Sequence, residues 1–408
     1  MTLSLTAACD RQLVAYEVSS QRTIEWTITV PNETRPAERA PLNLALVLDR
    51  SGSMVGDKLR YVQQAACHVL DLLNEHDRVA VVAYDDQINV LSPSVLVTET
   101  ARNDLKQRIN ALQQGGWTNL SDGWLEGCRE VAEHMRGEHV SRALLLTDGL
   151  ANRGITDIEE LTHHARELRQ RGVATSTFGV GLDFNEHLLE ALAAQGGGHF
   201  YFIERPDQIP AMFRQELGEL LTVAAREAFL NIAIPKGVAV ELLGNLPHER
   251  DSQRLRVFFG DLCAGEQRRL YTRALTPPDM PGTSVVVRGE LGYADLDGNT
   301  EVVSAEITFS YEREAAVLRV PVNKDVLQRA SEIEMAAAAS EALRLERAGR
   351  RQEAQGLMQH TLAAAAPYMS AAAAANYDEL QARMAQGLSE GERKQAHFKA
   401  YKLRNTRG

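Results

Sequence analysis

The sequence predicts an α/β fold: a doubly wound, mostly parallel sheet inserted in a β-sandwich and followed by a C-terminal helical region. Three observations carry this. From Leu42 to about Thr222, short apolar runs alternate with segments of helical period. Before Pro31 and after Arg226 the pattern is one of short strands punctuated by Pro, Gly, Asn and Asp. From about Asn323 the chain is alanine-rich and helical.

The elements follow in order. "QLVAYEV" and "RTIEWTITV" alternate in polarity and read as half-buried antiparallel strands. They have no partners of their own, so residues 1–40 are expected to join the later β region, 225–318, with 41–224 inserted between them. "PNETRPAERAP" (31–41) is polar and proline-rich, a linker into the inserted unit. Within that unit, strands are expected at 42–48, 78–85, 142–148, 173–180 and 199–203. Helices are expected at 57–73, 101–112, 121–136, 158–171, 184–195 and 206–225. Strands alternating with helices in this way give a parallel sheet covered on both faces, and 92–97 adds an antiparallel edge strand. In the helical region, 319–408, a hairpin breaks at Ala348-Gly349, and two more helices follow. The hairpin is similar to a single tetratricopeptide hairpin without the repeats of an array. The end, "KQAHFKAYKLRNTRG", is basic and reads as a solvated tail.

Composition narrows the class. The chain has 408 residues, too many for one core, with 44% hydrophobic and 24% charged residues. Its net charge of −11 argues against nucleic acid or anionic membrane as a general partner. The first residues lack a basic n-region and an apolar core, and no uncharged apolar run reaches membrane-spanning length. Cys9, Cys67, Cys128 and Cys263 are scattered, without a C-x-x-C pair. The expectation is a soluble cytoplasmic protein.

The candidate chemistry begins where the apolar run "LNLALVLD" stops on Asp49-Arg50-Ser51-Gly52-Ser53. In an open parallel sheet, the crevice at the carboxyl ends of the strands is where ligands bind. Two later loops share that edge. In "QQGGWTNLSDG", Gly115-Gly116 permits a tight turn before Thr118; in "LLLTDGLANRG", Asp148 ends a strand as Asp49 does. The converging set is Asp49, Ser51, Ser53, Thr118 and Asp148. All are hard oxygen donors, which select Mg²⁺ or Mn²⁺, with Ca²⁺ a further candidate.

Asp49-x-Ser51-x-Ser53, Thr118 in Gly-Gly-x-Thr-Asn and Asp148 in Thr-Asp-Gly resemble the metal-ion-dependent adhesion site (MIDAS) of von Willebrand factor type A (VWA) domains, which are Rossmann-like. The resemblance covers about 41–222. The flanking strands are similar to the arrangement in inter-alpha-trypsin inhibitor heavy chains and their stand-alone bacterial relatives. It implies that Ser51, Ser53 and Thr118 coordinate the metal directly, while Asp49 and Asp148 act largely through water and hydrogen bonds. The metal then takes an Asp or Glu carboxylate from a partner protein. It also implies that the last helix of the unit shifts when the metal ligands rearrange. The company suggested by cytoplasmic bacterial members is an AAA+ ATPase or a kinase and phosphatase system. Arg50, Met54 and Trp117 are expected on the partner-binding rim, where an exposed aromatic makes a hot spot.

Other readings compete. Asp49 and its serines alone would serve as an N-cap for the following helix, and Asn119 and Asp122 as a cap for the next. A metal-dependent hydrolase is the enzymatic alternative. It needs a base, and the nearby histidine in sequence, His68, lies inside a helix; the position for a phosphoaspartyl acid/base is Ser51. No G-x-S-x-G nucleophile elbow follows a strand of the α/β unit, and no P-loop or H-E-x-x-H is present. A third reading is a structural metal that only stabilises the fold. Asp297-Gly298 reads as a hairpin turn, His163-His164 as surface, and Gly196-Gly197-Gly198 as a helix end and loop. The expectation is a non-enzymatic, Mg²⁺-dependent protein-binding module on an intracellular bacterial scaffold.

Overall fold

The computed structural model describes residues 2–32, 40–136 and 139–405. Most of the expected linker, 33–39, lies outside the described residues, as do 406–408 at the end of the basic segment. The chain opens with β1 (Ser4–Cys9), β2 (Leu13–Ala15) and β3 (Ser20–Thr29). The α/β unit contains β4 (Leu42–Asp49), α1 (Asp57–Leu72), β5 (Arg78–Tyr84), β6 (Ile88–Leu96), α2 (Glu99–Asn110), α3 (Leu120–Ala132) and β7 (Val140–Thr147). It continues through α4 (Ile158–Gln170), β8 (Ala174–Val180), α5 (Glu186–Gln195), β9 (Gly197–Ile203) and α6 (Ile209–Leu220). Next come β10 (Val223–Ala233), β11 (Ala239–Leu243), β12 (His248–Arg250), β13 (Arg254–Cys263), β14 (Gln267–Thr276), β15 (Ser284–Ala294) and β16 (Thr300–Glu312). Five helices finish the chain: α7 (Glu314–Arg319), α8 (Lys324–Arg347), α9 (Arg351–Ala365), α10 (Ala371–Gln386) and α11 (Glu390–Arg404).

The central sheet runs β6-β5-β4-β7-β8-β9, with β6 antiparallel to β5 and the other neighbours parallel. Every residue of β4 is buried, as a strand covered on both faces requires. The Leu and Val side chains there each contribute about 1.5–3 kcal/mol by leaving water. α1 closes one face with Leu59, Val62, Ala66, Val69 and Leu70, and α3 closes the other with Leu120, Trp124, Cys128 and Val131. Because β4, β7 and β8 run parallel, their carboxyl ends share one edge.

The sandwich has sheets β1-β3-β14-β11 and β12-β13-β10-β15-β16-β2. β3 lies antiparallel along β14 from Thr29↔Gln267 to Ser20↔Thr276, and β2 pairs parallel with β16. β2 and β3 thus find partners across the inserted α/β unit, whereas β1 pairs locally with β3, contrary to the expectation that these strands have no partners of their own. Two further expectations change here. The helix expected at 206–225 ends at Leu220, because Val223 and Ala225 pair with Cys263 and Leu262 in the sandwich. The basic C-terminal segment is not a solvated tail. In α11, Lys394, His397, Ala400, Tyr401 and Arg404 are buried, and the helix packs on α8 and on the α/β unit. Spacings of three and four residues place these side chains on one face. No helix among the described residues is long and apolar enough to cross a membrane.

Candidate functional site

Three loops meet at the carboxyl edge of the central sheet. After β4 the chain turns through Ser51-Gly52-Ser53 before α1; the loop to α3 carries Thr118; the loop after β7 carries Asp148. Asp49 does not cap α1, whose N-cap is Gly56. Its Oδ1 instead accepts from the Ser51 amide at 2.8 Å and its Oδ2 from the Thr147 hydroxyl at 2.7 Å. Ser51 Oγ and Ser53 Oγ lie 3.1 Å apart, and Ser53 Oγ donates to Asp148 Oδ1 at 2.6 Å. Asp148 Oδ2 accepts from Lys58.

The Thr118 loop is tied down beside them. The Gly115 amide donates to the Arg50 carbonyl at 2.7 Å, and the Gly52 amide to the Gly116 carbonyl at 2.9 Å. Asp85, the residue after β5, accepts from the Gly116 amide at 2.9 Å and pairs with Arg50 at 3.0 Å. A Cβ on Gly115 would sit 1.6 Å from Asp85 Oδ2, and one on Gly116 2.3 Å from Asp86 Oδ1. Glycine is required here by close approach of acidic side chains. Thr118 is held through its amide, which donates to Asn152 Oδ1 at 3.0 Å. A Cβ on Gly149 would lie 3.4 Å from Ser53 Oγ and 3.7 Å from Thr118 Oγ1, so both hydroxyls face the Asp148-Gly149 turn.

All five expected site residues therefore converge. Asp49 and Asp148 are wholly buried. Burial pushes the Asp49 carboxyl up to about 6, against the pull of hydrogen bonds from Ser51 and Thr147. A buried carboxylate pair fringed by hydroxyls is a place where a small cation offsets desolvation. The donor set, all oxygen and including two carboxylates, fits a divalent cation.

Around it, Trp117 is 62% exposed, and Arg50 is partly exposed while held by Asp85. Met54 is a correction. Its side chain is fully buried in the core between α1 and the sheet, because the short helical turn at Gly52–Met54 points it inward. Its neighbour Val55, 59% exposed, and Leu150, 53% exposed, occupy the rim instead. Sequence reading also missed Asp85, Thr147, Lys58 and Asn152. Asp85 carried a usable signal: like Asp49 and Asp148 it is an acidic residue directly ending an apolar run. Asn119 caps α3 by accepting from the Asp122 amide. His68 lies eleven residues into α1, roughly 16 Å along it from the site.

Comparison with known proteins agrees with this geometry. The family model of the von Willebrand factor type A domain matches residues 43–215. The uncharacterized protein sll0103 of Synechocystis sp. is 30% identical over 315 residues, covering 72% of this chain and 71% of its own length. Human inter-alpha-trypsin inhibitor heavy chain H4 is 31% identical over 165 residues, 39% of this chain; the chain spans only 18% of that protein. The solved structure of von Willebrand factor type A from Catenulispora acidiphila superposes with a TM-score of 0.72 at 19% identity, covering 89% of this chain and 87% of the other, and shares the fold. The chain belongs to the family of proteins built on a von Willebrand factor type A domain.

Proposed function

We propose that the crevice binds a divalent cation, Mg²⁺ in the first instance, and that the cation captures an Asp or Glu side chain of a partner protein. VWA domains commonly serve as protein-interaction modules. Ser51, Ser53 and Thr118 would hold the ion through their hydroxyls, with Asp49 and Asp148 behind them. The ion would supply an electrophilic centre for an incoming carboxylate. The observation that carries the reading is the convergence of two wholly buried carboxylates and three hydroxyls from three loops onto one turn.

Binding is favoured over hydrolysis by how those carboxylates are used. Both oxygens of Asp49 and both of Asp148 already accept hydrogen bonds, which suits them to orient ligands and ill suits them to take a proton from water. The apolar rim of Val55, Trp117 and Leu150 suits a peptide surface in which an acidic residue is flanked by apolar ones. We place the protein in the cytoplasm as a scaffold or adaptor, in keeping with its acidic composition.

The test is capture from native lysate with Mg²⁺, with EDTA, and with the Thr118→Ala chain. Partners present only with Mg²⁺ and the native chain support the proposal and name the ligand. Partners unchanged in all three lanes move the binding surface elsewhere. Metal-dependent turnover abolished by Thr118→Ala would revive the hydrolase.

A further inference from the structure

A second group of metal-ligand atoms lies at the opposite, amino end of the parallel strands. His199, the third residue of β9, places Nδ1 2.8 Å from Glu216 Oε2 and 3.3 Å from Glu219 Oε2. The two glutamates are three residues apart on α6, so both face β9. One ligand atom from each of the three residues lies within 4.8 Å of the other two. Glu216 is wholly buried, whereas the His199 and Glu219 side chains are 20% and 24% exposed. The group is thus open to solvent on one side, which gives an ion an entry path.

The surroundings resemble the outer support that ligating carboxylates need. Glu216 Oε1 accepts from Arg142 at 2.8 Å and from the Ser176 hydroxyl at 2.6 Å; Oε2 accepts from the Tyr201 hydroxyl at 2.9 Å. Arg142 also reaches Asp261 on β13 at 2.7 Å, joining the α/β unit to the sandwich. Within this group, Glu216, Glu219 and Asp261 set three carboxylates against the one guanidinium of Arg142.

We propose that His199, Glu216 and Glu219 form a second metal site that takes a borderline divalent cation such as Zn²⁺. One imidazole nitrogen with two carboxylates suits Zn²⁺ over Mg²⁺, and three protein ligands leave a position for water. Ser176, Tyr201 and Arg142 hold the Glu216 carboxylate in place for the ion. Bound there, the ion fastens α6 to β9 beside the sandwich and stabilises the native state by mass action.

The nitrogen ligand separates this site from the all-oxygen crevice. The experiment uses the full chain carrying Thr118→Ala, stripped of metal, titrated with Zn²⁺ by calorimetry and with Co²⁺ by visible absorption. A single equivalent is expected, with the intense absorption of low-coordinate cobalt and a rise in Tm on adding Zn²⁺. Adding Glu219→Gln or His199→Gln is expected to weaken binding about 100-fold and remove the Tm rise. Circular dichroism checks that each variant folds; should His199→Gln unfold, the partly exposed Glu219→Gln decides. No Zn²⁺ bound by the Thr118→Ala chain, or equal affinity after Glu219→Gln, overturns the site.

Discussion

The Ser53 hydroxyl donates to Asp148 Oδ1 at 2.6 Å, closing a contact between two strand ends 95 positions apart in the chain. Hydroxyl and carboxylate are held by parallel pairing of β4 with β7, so their meeting is a property of the sheet. Removing one cation ligand need not disturb that pairing.

Thr118→Ala is therefore expected to weaken Mg²⁺ binding and partner capture by at least about tenfold, with Tm nearly unchanged. Asp49→Ala is expected to behave differently. It strips acceptors from the buried Ser51 amide and Thr147 hydroxyl, each left at a cost of about 1–3 kcal/mol. Calorimetric Mg²⁺ titration beside thermal melts separates the two. A Thr118→Ala chain that binds Mg²⁺ like the parent would remove this threonine from the ligand set.

Trp117 and Leu150 flank the crevice from different loops, both more than half exposed. Trp117→Ala is expected to cost about 2 kcal/mol of partner affinity, the scale of an aromatic hot spot. Leu150→Ser should cost less, and neither should alter Mg²⁺ affinity. Biolayer interferometry against the captured partner, with and without EDTA, measures this. An unchanged affinity in both variants would place the contact surface away from this rim.

Legibility followed how local each cause was. Asp49, Ser51, Ser53, Thr118 and Asp148 could be read from the letters because each ends an apolar run or follows a glycine pair, and parallel topology then aligns them. The insertion could be read because the strands before Pro31 are too few to close a sandwich: β1 pairs with β3, but β3 needs β14 on its other side. Met54 could not: whether a residue in a three-residue turn points in or out depends on the core beneath it. The basic face of α11 misled for a related reason. Its charges are matched by Glu186 and Glu190, some two hundred positions earlier, and nothing in the segment itself announces them. The end of α6 was lost because Val223 and Ala225 suit helix or strand alike until β13 is beside them.

The seam between α5 and the C-terminal helices is expected to be acid-labile. Burial, aided by the charge of His397, pushes His187 down to about 4 from an ordinary 6.5. The unfolded chain therefore takes up a proton below pH 6.5 that the folded chain refuses, so stability falls as pH drops from 6.5 toward 4. Glu186 acts lower. Burial opposes its ionisation, but Lys394 outweighs it and holds the carboxyl at about 2, so its contribution is full above 4.5 and lost toward 2. Each shift corresponds to stability on the order of 3 kcal/mol. Melts of parent and His187→Gln between about pH 7.5 and 5, above the Glu186 window, should diverge on acidification, the parent losing more. Parallel curves would mean His187 titrates normally.

Lys394 is the anchor of that seam. Its ammonium, 1% exposed, donates to the Phe184 carbonyl at 2.6 Å and to Glu186 Oε2 at 2.7 Å, and lies 3.9 Å from the Phe184 ring centroid. Removing one member of a buried pair leaves the other charge desolvated, at roughly 3–5 kcal/mol. Arg347, 2.8 Å from Glu186 Oε1, keeps part of the compensation, so Lys394→Ala should fall at the low end. The loss should be local first, because α11 meets the α/β unit through this pair, Tyr401 and the Glu190 contacts of His397 and Arg404. Limited proteolysis is expected to cut the variant near Gly387 well before the parent. Equal proteolytic lifetimes and equal melting points would show that α11 is held by its apolar contacts alone.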